Sequence, residues 1–131
     1  MLKKNIRFIF PILVFLIFGI LIADYYSKPK ISISEIILQS SVIVDNGVEI
    51  KNFSFETLAP TTALSLLQAT GLLIKIKSFS EGVFIESIGD NVNGDGGKYW
   101  MYYVNNKMPI IATDRYQIQN GDRVEFKFEA Y

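Results

Sequence analysis

The densest run of side chains able to hold a ligand is Tyr99–Val104, YWMYYV, with Asn105 directly after it. Rigid aromatics with a polar tip suit stacking on a sugar, a corrinoid or a peptide. On an alternating strand Trp100, Tyr102 and Val104 point one way and Tyr99, Met101 and Tyr103 the other. The sequence does not settle which set is buried; Met101, the most apolar residue at the middle of the run, favours Tyr99, Met101 and Tyr103 inward. Trp100 and Tyr102, with Asn105 at the strand's end, then form the expected ligand platform. Packing alone is the plainer use of such a stripe, since aromatic rows usually fill cores.

The polar loop before it, Gly89–Lys98 (GDNVNGDGGK), resembles a calcium loop when counted from Asn91. Asn91, Asn93, Asp95 and Gly96 would occupy positions 1, 3, 5 and 6. Position 12 is Tyr102, where a bidentate Glu is required, so no metal site is assigned. Ser27-x-x-Lys30 has the spacing of a Ser–Lys hydrolase but stands beside a proline in a linker. Asn52-Phe53-Ser54 is a glycosylation sequon inside a strand pattern. Gly94-x-Gly96-Gly97 lacks the strand–helix setting of a phosphate loop. Glu81 and Glu86 are carboxylates that nothing in the sequence places in a pocket. The chain has no Cys and no His. That removes disulfides, thiolate or imidazole zinc sites, and Ser-His-Asp or Cys–His catalysis. No catalytic residue is assigned and no enzyme activity is expected.

These residues sit in a chain of 131, enough for one ordinary domain and an appendage. Lys+Arg and Asp+Glu both number 13. All the acidic residues lie at or after Asp24, and Lys3, Lys4 and Arg7 precede it. The part after residue 23 is therefore net −3, which disfavours nucleic-acid binding. Residues 1–7 read as a cytoplasmic N-terminus and 8–23 as a transmembrane signal anchor. Phe8–Ala23 is an uncharged run of 16, about 24 Å of helix against a bilayer core of about 30 Å. Cleavage after Ala23 would put Leu21 at −3, a poor match to the small-x-small pattern. An anchor is therefore preferred to a cleaved signal and secretion. Lys3, Lys4 and Arg7 place the N-terminus inside and the rest outside. Lipid, through residues 8–23, is the one expected partner that can be named.

Residues 24–39 read as linker and lead-in strand, with Ile31–Leu38 β-branched. Ser41–Val44 and Val48–Phe55 form a hairpin across Asp45-Asn46-Gly47. Val48, Ile50, Phe53 and Phe55 are its core candidates, and a bulge is expected near Lys51-Asn52. Ala59-Pro60-Thr61-Thr62 opens the only helix, with Leu64, Leu66 and Leu67 on its face and Gly71 as C′. Leu72–Phe79, Gly82–Ile88, Tyr99–Val104, Met108–Ala112, Tyr116–Ile118 and Val124–Phe128 read as strands. Hairpin, helix, then strands indicates α+β, one helix against a β-grasp-like mixed sheet.

GVFIESIGD, KYWMYYVNNK and DRYQIQNGDRVEFKF, with the helix TTALSLLQAT, together resemble the transcobalamin-like C-terminal domain over residues 40–131. The resemblance implies a β-grasp-like domain of secreted or surface proteins, which in animal carriers closes over cobalamin held by a helical barrel. Asn106 stands where the family usually has Gly, and Phe126 where it usually has Trp. About 100 residues outside the membrane leave no room for a barrel. The expectation is a membrane-anchored, extracytoplasmic binding or interaction module without a cofactor. The alternative is accessory capture of a corrinoid with a separate partner.

Overall fold

The computed structural model describes residues 35–131 and, ahead of them, the helical residues Phe18, Gly19, Ile22, Ala23 and Tyr26. The chain divides into two units, Met1–Ser34 and Glu35–Tyr131. Apart from those five residues, the anchor expected at 8–23 and the start of the linker lie outside the described residues. Among the described residues no helix is long and apolar enough to cross a membrane.

The second unit is mixed α+β, mostly sheet with one helix. Its elements are β1 (Ile37–Asp45), β2 (Ile50–Leu58), α1 (Ala63–Ala69), β3 (Ile74–Phe79), β4 (Gly82–Ile88), β5 (Asn91–Val92), β6 (Lys98–Val104) and β7 (Arg123–Ala130). Two sheets form, in the orders β2-β1-β7-β6 and β3-β4-β5. β1 is antiparallel to β2 and parallel to β7, so the larger sheet is mixed.

The β1–β2 turn is built as its residues dictate. Gly47 takes φ +83°. Its N–H donates to Asp45 Oδ1 at 2.8 Å, and Asn46 Oδ1 accepts from Val48 and Glu49 N–H at 2.9 and 2.7 Å. These side chains replace the missing strand partners of the turn. Thr62 is the N-cap of α1, its Oγ1 accepting from Ser65 N–H at 3.2 Å, and Gly71 leaves the helix at φ +73°. Ala63, Leu64, Leu66 and Leu67 are buried. Ala63, Leu66 and Leu67 join Leu38, Val42 and Val44 of β1, Ile85 and Ile88 of β4, and Val124, Phe126 and Phe128 of β7 in one core.

Several expectations are corrected. The lead-in and first hairpin arm are one strand, running through Gln39 and Ser40. No bulge occurs at Lys51-Asn52, where pairing runs unbroken from Ile37↔Leu58 to Asp45↔Ile50. That register turns Ile50 outward, and both Val48 and Ile50 are exposed. The irregularity lies in the β3–β4 pair instead: Lys75 pairs with Ser87 and Ile76 with Ile85, which leaves Glu86 of β4 as the extra residue. Met108–Ala112 and Tyr116–Ile118 are not strands; only single bridges, Val104↔Lys107 and Thr62↔Gln117, form there. The backbone of Thr113–Ile118 instead engages the start of α1. Ala63 N–H donates to the Tyr116 carbonyl at 3.1 Å, Leu64 N–H to that of Thr113 at 2.9 Å, and Ile118 N–H to that of Thr61 at 2.9 Å. The first N–H groups of a helix lack internal acceptors, and this loop supplies them.

Candidate ligand cleft

The face of β6 is decided by β7. Antiparallel pairing sets Trp100 opposite Phe128, Tyr102 opposite Phe126 and Val104 opposite Val124. Cross-strand partners share a face, and Val124, Phe126 and Phe128 are core. Trp100 is therefore 6% exposed, and Tyr99, Met101 and Tyr103 lie on the other side. This reverses the assignment made from Met101. The outer face suits tyrosine better than it suits an indole, because its β7 neighbours are Glu125, Lys127 and Glu129. Tyr103 donates its hydroxyl to the Glu129 carboxylate, and Lys127 Nζ stands 5.6 Å from the Tyr103 ring centre.

Trp100 is held on every side. Its ring tilts over Phe128 at 5.2 Å, Nε1 donates to the Asn91 carbonyl at 2.9 Å, and its backbone N–H donates to Asn93 Oδ1 at 2.7 Å. Asn93 Nδ2 in turn donates to the Ile85 carbonyl at 2.7 Å. The loop considered for calcium is thus a tie between β4 and β6. Among the described residues no group of three or more acidic side chains is placed to hold a metal ion.

Tyr102 is half-buried. Its ring stacks on Phe126 at 6.1 Å and its hydroxyl donates to the Ile111 carbonyl. Burial, then the neighbouring Tyr116 and Asp114, push its pKa up to about 12. Asn105 does not join Trp100 and Tyr102. It sits in a turn at φ +50°, where Nδ2 donates to Asp122 Oδ1 at 2.8 Å and Oδ1 accepts from Arg123 N–H at 3.0 Å. Its side chain ties the end of β6 to the start of β7, and it is removed from the expected platform.

Trp100 and Tyr102 do line a common cleft. It has a volume of about 240 Å³ and lies between β4 (Val83, Phe84, Ile85), β6 and the loop Met108–Thr113, with Phe126 also in its wall. Its walls are mainly apolar. Thr113 is 3% exposed and its hydroxyl has no hydrogen-bond partner. Phe84 also lines an adjoining hollow of about 410 Å³ with Phe79, Ile110 and Ile111. Phe79, Phe84, Met108, Ile110 and Ile111 are all exposed. Clustered exposed apolar groups of this kind mark interaction sites. Pro109, inside this short apolar run, is the signal in the sequence against a strand over Met108–Ala112.

Chemically, the cleft offers apolar walls, an indole face and one buried hydroxyl, but no nucleophile–base pair. That arrangement can enclose a flat or apolar group.

Comparison with known proteins agrees with this architecture. No curated protein matches the sequence. A crystal structure of a candidate metal-binding protein from Ruminococcus gnavus ATCC 29149 aligns with a TM-score of 0.62 at 22% identity, covering 72% of this chain and 99% of that one. The crystal structure of haptocorrin in complex with Cbi aligns with a TM-score of 0.67 at 16% identity, covering 74% of this chain and 26% of haptocorrin. The chain thus corresponds to about a quarter of haptocorrin's length. At these identities the likeness is one of fold. A family model, the domain of unknown function DUF4430, matches residues 61–130, just over half of the sequence, and the chain belongs to this family.

Proposed function

We propose that this chain is a non-catalytic binding module, displayed outside the cytoplasm on a single N-terminal membrane anchor. Its domain, with the β1–β2 hairpin, α1 and the parallel β1–β7 pair, is β-grasp-like. The ligand site is the cleft between Trp100, Tyr102 and the Met108–Thr113 loop, and it takes a flat or apolar group. The observation that carries this reading is that cleft: apolar, rimmed by exposed Phe84 and Met108, with a buried unpaired hydroxyl on Thr113.

A second reading is capture of a corrinoid together with a separate partner. The fold likeness to haptocorrin, crystallised with Cbi, favours it, and this chain spans only about a quarter of that protein.

Trp100 is the only tryptophan, so the full chain in detergent can be titrated by its intrinsic fluorescence. Cobinamide, glycans and apolar peptides form the panel. A saturable change that Phe84→Lys or Met108→Lys abolishes is the expected result. Cobinamide as the active compound selects the second reading. No saturable change with any of them removes the cleft as a ligand site.

A further inference from the structure

The described domain has four strands with an unpaired side, β2, β6, β3 and β5, and three of them are blunted. The free side of β6 is taken by loops: Trp100 N–H by Asn93 Oδ1, the Lys98 carbonyl by Gly94 N–H, and Val104 N–H by the Lys107 carbonyl. β3 carries Lys75 and Lys77 and pairs with a β4 that bulges at Glu86, where the register shifts opposite Lys75/Ile76. β5 is two residues long. Lysines, bulges and shortness are the usual protections of a sheet edge. β2 has none of these in its middle. It runs nine residues, Ile50–Leu58, in unbroken register, without proline, and its single lysine stands near one end.

The sequence of this edge is symmetric in pattern about Ser54. IKNFSFETL has apolar residues at its first, fourth, sixth and ninth positions. Phe53 and Phe55 lie on the inner face, half-buried and stacked at 6.4 Å. Ile50 and Leu58 lie on the outer face, 60% and 53% exposed. From these features we infer that β2 pairs antiparallel with β2 of a second copy, on a two-fold axis through Ser54. The axis sets Ile50 opposite the second copy's Leu58, Phe53 opposite its Phe55, and Asn52 opposite its Glu56. Each apolar side chain then meets an apolar one on the same face, and no like charges stand opposed. The two four-stranded sheets become one of eight, through an interface of the isologous kind. This accounts for two large outward aliphatics on an otherwise polar strand face.

The test uses the full chain, which has no cysteine of its own. Ser54→Cys sets two thiols opposite each other at the axis, where cross-strand Cβ atoms are about 4.5–5.5 Å apart. Under mild oxidation it is expected to give about tenfold more disulfide dimer than Ser78→Cys on β3. Asn52→Cys and Glu56→Cys are expected to cross-link when mixed and poorly when alone. Asn52→Glu, which opposes a carboxylate to Glu56 twice per dimer, is expected to weaken association about tenfold. Adding Glu56→Lys restores it. Equal cross-linking of Ser54→Cys and Ser78→Cys overturns the inference. So does a purified chain that stays monomeric at all concentrations, as it would if this edge served a strand of another protein.

Discussion

Asn93 holds Trp100 against β4: one amide side chain accepts from the Trp100 N–H and donates to the Ile85 carbonyl, both at 2.7 Å. The two strands belong to different sheets, so this residue joins the sheets along the wall of the cleft. Asn93→Ala is expected to cost about 2 kcal/mol, because it leaves a part-buried donor and acceptor unpaired. Urea unfolding measures it. A change below about 0.5 kcal/mol would show that the tie is dispensable.

Trp100 and Tyr99 are adjacent in sequence and opposite in burial. Trp100→Ala is expected to cost about 3–5 kcal/mol, and Tyr99→Ala less than about 1 kcal/mol. The folded chain should emit at a blue-shifted maximum that moves red on unfolding. Equal costs for the two variants would contradict the register between β6 and β7.

Two glycines separate backbone strain from collision. Gly71 has φ +73° and open space where a Cβ would stand, so Gly71→Val should cost about 1–2 kcal/mol by strain alone. A Cβ on Gly82, at φ +134°, would lie 2.3 Å from Ala112 Cβ and 2.7 Å from Asp114 Oδ1. Gly82→Ala should therefore cost more, roughly 3 kcal/mol, and push the Met108–Thr113 loop away from β4. Thermal melting of the pair checks the order.

The buried tyrosine sets an alkaline limit. The pKa of Tyr102 is raised from 10.0 to about 12, and those of Tyr103 and Tyr116 are raised in the same direction. The folded state thus keeps a proton that the unfolded chain releases. This contribution is fully present below pH 10 and is lost as pH rises from 10 through about 12. Denaturation midpoints should fall across that window. Tyr102→Phe should flatten part of the fall. A flat profile would mean that Tyr102 ionises freely in the folded chain.

The proposed orientation, N-terminus inside, rests on Lys3, Lys4 and Arg7 standing before the apolar run. Protease added to intact cells or spheroplasts is expected to remove the domain and leave a short protected fragment. A domain that survives until the membrane is opened would place it on the inner side.

Local chemistry alone determined the punctuation of this fold. Asp45-Asn46-Gly47 has the side chains to close its own turn, Thr62 has a hydroxyl to cap its own helix, and Gly71 tolerates the conformation that ends it. Each acts within a few residues, so each was legible. The absence of Cys and His likewise excluded whole classes of chemistry without a structure. Tertiary structure decided which face of β6 is buried, because an alternating strand has two equivalent solutions until its partner's register selects one. Val124, Phe126 and Phe128 made that selection from 20 to 28 residues away. It likewise decided the course of residues 108–118, where the backbone of Thr113, Tyr116 and Ile118 serves the start of the helix in place of a sheet. Asn105 was legible as the residue at the end of β6. Its use as a tie to Asp122 and Arg123 arises only where the ends of β6 and β7 meet.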